Sequence, residues 1–164
     1  MSIGPRSHGA LGLFLAQNPE VLFLDDFSLG LEPGYRRLFV DYLRDYARSE
    51  NKTVFLTSHI IQDMERLIDD CIIMDYGSIL IQQPIETLMK ELRRYTCTVP
   101  EGYQPQLPAT CYHPAVIRQT LETYSFLPPS DVEGLLKENQ VPFTGLQHEN
   151  VSLEDAFIGL TGKY

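Results

Sequence analysis

Val21-Leu22-Phe23-Leu24-Asp25-Asp26 carries four apolar residues straight into two adjacent carboxylates, and Phe27-Ser28-Leu29-Gly30-Leu31-Glu32-Pro33 follows at once. An uninterrupted apolar run suits a parallel strand covered on both faces. Ligands of open α/β sheets collect at the carboxyl ends of such strands. Two acids at that end point to a metal or phosphate site.

Working outward, Ala- and Leu-rich residues from His8 to Gln17 predict a helix stopped by Asn18-Pro19. Pro33 sits where the next helix would start, and Leu38, Phe39, Tyr42, Leu43 and Tyr46 recur at helical spacing to about Ser49. Phe39, Tyr42 and Tyr46 are expected to be core residues of that helix. Thr53 to Thr57 reads as a second strand ending at Ser58-His59, with a helix expected from about Ile60 to Asp69. Cys71 to Met74 and Ser78 to Gln82 flank Asp75-Tyr76-Gly77 as a hairpin. Pro84 opens a helix expected to run to about Arg94.

Beyond residue 94 the texture changes: prolines 100, 105, 108, 114, 128 and 129, with threonines and aromatics between them, favour short strands and turns. Asp131 to Asn139 reads as helix and Pro142 to Gln147 as strand. Ser152-Leu153-Glu154-Asp155 caps a final helix. The expected fold class is α/β, a partial parallel sheet with flanking helices over residues 1–94, plus a small α+β appendage over 95–164.

The chain has 164 residues, with 22 acidic and 13 basic side chains and a formal charge of −9. That balance argues against a nucleic-acid footprint, which needs clustered Lys and Arg. Cys71, Cys97 and Cys111 have no zinc-ligand spacing and are expected to be buried, reduced thiols. No apolar run approaches the roughly 20 residues of a membrane helix, and a soluble, cytoplasmic chain is expected. His8, His113 and His148 are expected to lie on the solvated surface.

The acids after the first strand, the Leu29-Gly30-Leu31-Glu32-Pro33 turn, and Ser58-His59 after the second strand together resemble an ATP-binding cassette (ABC) ATPase. The resemblance implies that Asp25 is the Walker B acid that orders the magnesium of ATP, and that Asp26 polarises the attacking water. It also implies that Leu29, Gly30, Leu31 and Glu32 form the D-loop, and that His59 is the switch histidine near the γ-phosphate. Met1-Ser2-Ile3-Gly4-Pro5 falls at the place of the signature loop, so Ser2 and Gly4 would meet ATP held by a second ATPase subunit across a head-to-tail dimer. A short loop before a helix suits such a phosphate, because free N–H groups and the positive dipole end face it. The closing Ser152 to Gly162 is similar to the tail of cassettes serving exporters, which implies a membrane permease as a further partner and a peripheral location at the membrane. The same residues also read as a plain capped amphipathic helix.

Two departures bear on mechanism. No Gly-x-x-x-x-Gly-Lys-Ser/Thr occurs anywhere, so the cradle for the β- and γ-phosphates is missing, and a truncated or split cassette that binds ATP poorly alone is expected. The family's catalytic glutamate is here Asp26, one methylene shorter. Two other readings compete: a degenerate cassette that binds or regulates a partner ATPase without catalysis, and a receiver-like signalling domain. The latter needs a Lys at a later strand end, which Cys71 to Tyr76 does not supply.

A base displaced by about 1 Å works below its range, and a well-placed one contributes about 10²- to 10⁴-fold. Asp26→Glu, assembled with a complete partner, is therefore expected to hydrolyse ATP faster than the natural chain. Equal rates in a steady-state phosphate-release assay would refute this.

Overall fold

The structure is a computed structural model that describes residues 16–27 and 31–162. Packing divides it between Leu67 and Ile68 into two compact units. That division falls well before the boundary expected from sequence at 94/95.

In the first unit, β1 (Val21–Asp25) and β2 (Thr53–Thr57) pair in parallel, with Val21 opposite Thr53 and Asp25 opposite Thr57. Between them runs α1 (Pro33–Ser49), with proline at its first turn, where a missing N–H costs nothing. Glu32 precedes it in extended conformation and accepts the Arg36 amide at 2.9 Å. The buried stripe of α1 is Val40 and Leu43, with Arg36 and Ala47 half-buried above and below. Leu43 is fully buried, a burial that contributes about 1.5–3 kcal/mol. Phe27, just past β1, meets Phe39 with ring centroids 5.3 Å apart.

Three expectations about this unit are corrected. The strands are not covered on both faces: Leu22 is buried, whereas Val21, Phe55 and especially Phe23, 78% exposed, lie open on the other face. Among the described residues of this unit, the two-stranded sheet has one flanking helix, and it lies on the other side. Tyr42 is exposed rather than in the core, stacking on half-buried Tyr46 along the helix surface at 6.4 Å. The helical stripe that packs is 36/40/43/47, which leaves Tyr35, Leu38 and Tyr42 on an exposed apolar stripe. Finally, the helix expected at Ile60–Asp69 is a 3₁₀ turn, Ile61–Asp63, extended by further turns. Its bonds close one residue early, Met64 N–H to Ile61 and Leu67 N–H to Met64, each at 2.9 Å. Ile60, Ile61, Met64, Leu67 and Ile68 recur at helical spacing, but of these only Met64 is buried.

The second unit begins with the hairpin of β3 (Asp70–Asp75) and β4 (Ser78–Pro84). Tyr76 (φ 44°) and Gly77 (φ 79°) both occupy left-handed backbone, as a two-residue turn with matching twist requires. α2 (Ile85–Glu91) ends earlier than expected. Leu92 turns extended, and β5 (Arg93–Thr98) takes up what was read as helix, because it is needed inside a sheet. That antiparallel sheet runs β6 (Tyr112–Ile117), β7 (Thr120–Ser125), β5, β8 (Thr144–Asn150).

α3 (Pro129–Glu138) sets Val132 and Leu136 against Tyr95, Cys97, Val99, Leu121 and Val141 to form the core of this unit. Tyr95 donates its hydroxyl to the Leu127 carbonyl at 2.6 Å. Cys71, Cys97 and Cys111 are buried free thiols, as expected, and burial pushes each of them up. His113 and His148 are exposed, in line with their reading, although His113 Nε2 lies 3.2 Å from the Leu160 carbonyl.

α4 (Leu153–Thr161) closes the chain as its cap signals predict. Ser152 Oγ accepts the Asp155 amide at 3.1 Å, and Gly162, in left-handed conformation (φ 67°), ends the helix. The buried Gly159 lets the helix settle on the Tyr124 ring, where an added Cβ would stand 2.4 Å from the ring carbons. Burial and the neighbouring Glu122 carboxylate push the Tyr124 phenol up to about 12. Because the rigid ring has no way to yield, Gly159→Ala is expected to destabilise the chain by about 1–3 kcal/mol in urea unfolding. An unchanged midpoint would show that the helix can lift off the sheet without loss.

Candidate active site

The in-register pairing of β1 and β2 brings the ends of both strands to one place. Asp25 is the last residue of β1 and Thr57 the last of β2, directly opposite each other. The Thr57 hydroxyl donates to Asp25 Oδ1. Its own oxygen accepts the Asp26 amide at 3.1 Å, and the Thr57 carbonyl accepts that amide at 3.1 Å as well.

Asp26 turns the chain away from the strand with φ 45°. Left-handed backbone is costly for most L-residues, and Asp is among the few that visit it as single residues. This conformation, not the strand's alternation, decides where the Asp26 side chain goes. Its Oδ1 lies 2.7 Å from His59 Nδ1. That oxygen is shielded from solvent and makes no hydrogen bond among the described residues, so its close neighbour is this ion-pair contact, charged when the imidazole is protonated. Ser58 shapes the approach: its Oγ accepts the Ile60 amide at 3.0 Å, a local turn that ends the strand and releases His59 toward Asp26.

The structure thus brings Asp25, Asp26 and His59 together. Of the expected turn residues, Leu31 is buried and Glu32 is exposed before α1. Leu29 and Gly30, and the expected phosphate-facing Ser2 and Gly4, lie outside the described residues. Thr57 was missed by the sequence reading. The available signal was that both strands have five residues and end in polar groups, so in-register pairing must set Thr57 against Asp25.

Among the described residues no three His, Cys, Asp or Glu side chains cluster as a metal cage. The donor set is instead a single exposed carboxylate, Asp25, with one oxygen tied to Thr57. Such a set suits magnesium, which is commonly held by one or two carboxylates, with water and substrate phosphates completing its shell. Among the described residues no helix is long and apolar enough to cross a membrane.

No family model matches the chain. It is 32% identical to the Nod factor export ATP-binding protein I of Ralstonia nicotianae, across 99% of this chain and 53% of that protein. The protein of the same name from Burkholderia orbicola is 29% identical, across 99% of this chain and 54% of its own length. Energy-coupling factor transporter ATP-binding protein EcfA2 of Clostridioides difficile is 37% identical over 48% of this chain and 27% of that protein. The homologues are therefore ABC transporter ATP-binding proteins. The mixed α/β architecture is compatible with part of a P-loop NTPase cassette. The chain spans about half the length of the curated relatives that it matches from end to end.

The Asp26–His59 pair is substantially exposed, with His59 at 59% and Asp26 at 33% side-chain accessibility. Exposed pairs add little to stability. His59→Ala is accordingly expected to cost less than about 1 kcal/mol in urea unfolding. A larger loss would make the pair a structural strut.

Proposed function

We propose that the chain is the C-terminal part of a magnesium-dependent ATP-hydrolysing subunit of an ABC transporter, with export as the direction of transport. Residues 1–94 are the cassette portion and 95–164 an extension of it. One observation carries the reading: the parallel register that sets Asp25 beside Thr57 at the strand ends, with Asp26 and His59 2.7 Å apart in the turns beyond them. The names and alignments of the relatives support it, and the export-named relatives match along nearly the whole chain.

Each residue then has a defined task. Asp25 presents a carboxylate oxygen to magnesium, which when bound neutralises charge on the nucleotide's phosphate oxygens. Asp26 accepts a proton from, or polarises, the attacking water, while His59 Nδ1 meets Asp26 Oδ1 and leaves the second oxygen available. Ser2 and Gly4 complete a site on a second ATPase subunit, and Leu29, Gly30, Leu31 and Glu32 line the junction with it. A membrane permease is the element driven, with the chain peripheral to the membrane on the cytoplasmic side.

The phosphate cradle comes from polypeptide outside this sequence. The exposure of Val21, Phe23, Phe55, Leu38 and Tyr42 among the described residues supports this, since clustered exposed apolar side chains mark an interaction surface. The relatives' greater length supports it too.

Alone, the chain is expected to hydrolyse magnesium-ATP at background rate. Supplied with a complete ATP-binding partner, it should turn ATP over and associate more tightly with ATP than with ADP. Asp25→Asn should lower that turnover by about 10²-fold or more. Hydrolysis by the chain alone, or full activity in Asp25→Asn, would refute the proposal.

A further inference from the structure

Thr57 does more than close a strand. A hydroxyl has one proton to give and two lone pairs, and here both capacities are used on neighbouring acids: the proton goes to Asp25 Oδ1, and a lone pair receives the Asp26 amide at 3.1 Å. The Thr57 carbonyl receives the same amide, so the Asp26 backbone is gripped twice by one residue while it sits at φ 45°. Because Thr is β-branched, its side chain has few rotamers, and the two bonds select one of them.

We propose that Thr57 is a positioning residue that sets both acids together: it orients the Asp25 carboxylate toward a divalent cation and holds the backbone from which Asp26 reaches the water. The inference rests on the ATPase reading for its second half only, since the hydrogen bonds to Asp25 and Asp26 exist without nucleotide. An acid whose free oxygen must meet a small cation tolerates about 10–20° of misorientation. Losing an outer partner of a metal ligand characteristically costs 10- to 100-fold in metal affinity or activity. Thr57→Val keeps the shape and removes both bonds, and Thr57→Ser keeps the hydroxyl.

The first test needs no metal. A double-mutant cycle of Thr57→Val with Asp25→Ala, which removes the acceptor, read by urea unfolding of the 164-residue chain, is expected to be non-additive by about three- to tenfold in the unfolding constant. Thr57→Ser should couple to Asp25 as wild type does, and Thr57→Ala serves the same cycle if the valine variant does not fold. In the second test, each chain is assembled with a complete ATP-binding partner and magnesium is titrated at saturating ATP. Thr57→Val should need roughly 10-fold more magnesium for half-maximal hydrolysis, with lower kcat, and Thr57→Ser should restore both. An additive cycle overturns the proposal, as does an unchanged magnesium requirement in Thr57→Val when the wild-type assembly hydrolyses ATP. A non-additive cycle with no hydrolysis by wild type supports the hold of Thr57 on the acids and overturns the ATPase reading instead.

Discussion

The parallel, in-register pairing of Val21–Asp25 with Thr53–Thr57 is the constraint on which the site depends. Register in a sheet is a two-state matter for side chains: a slip of one residue sends every side chain to the opposite face. A slip here would move Thr57 from Asp25 and separate the Ser58 turn from Asp26. Leu22 on the buried face, with half-buried Leu24, Val54 and Leu56, resists that slip. The chemistry at the strand ends is therefore held by apolar contacts that take no part in it.

The two units use different means to remain folded. In the second, α3 packs over Tyr95, Cys97 and Leu121, and α4 sits on Tyr124 through Gly159, while the hairpin leaves Ile72, Met74, Tyr76, Ile79 and Leu80 exposed. Arg94 adds a polar link between strands, with Nε 2.8 Å from Glu149 Oε1 and Nη1 3.9 Å from Glu122 Oε2. The first unit leaves large aromatic and aliphatic side chains in water on both its sheet and its helix. Among its described residues, one crossover helix covers one face of the two-stranded sheet, where Leu22, Val40 and Leu43 are buried.

Much of the secondary structure was legible in the sequence because its punctuation is local. Pro33 at a helix start, the Tyr76-Gly77 turn and the Ser152 cap act through bonds within a few residues of themselves. Two elements departed from their local pattern. Ile60–Asp69 has apolar residues at helical spacing yet folds as a 3₁₀ turn and further turns, and Arg93–Thr98 pairs with two neighbouring strands, β7 and β8, instead of continuing a helix. Tyr42 sits at a spacing that fits either side of a helix, and only packing chose Val40 and Leu43 instead.

By itself the sequence determined that two carboxylates follow an apolar strand, that a serine and a histidine follow a second one, and that a Gly-Leu-Glu-Pro turn leads into a helix, because these depend on residue order and local propensity. Tertiary structure alone decided that Thr57 lies between Asp25 and Asp26, that Asp26 bends through left-handed backbone, and that its carboxylate comes within 2.7 Å of His59. Those relations join residues about thirty positions apart. Proximity of that kind is set by strand register and burial, which no short stretch of sequence contains.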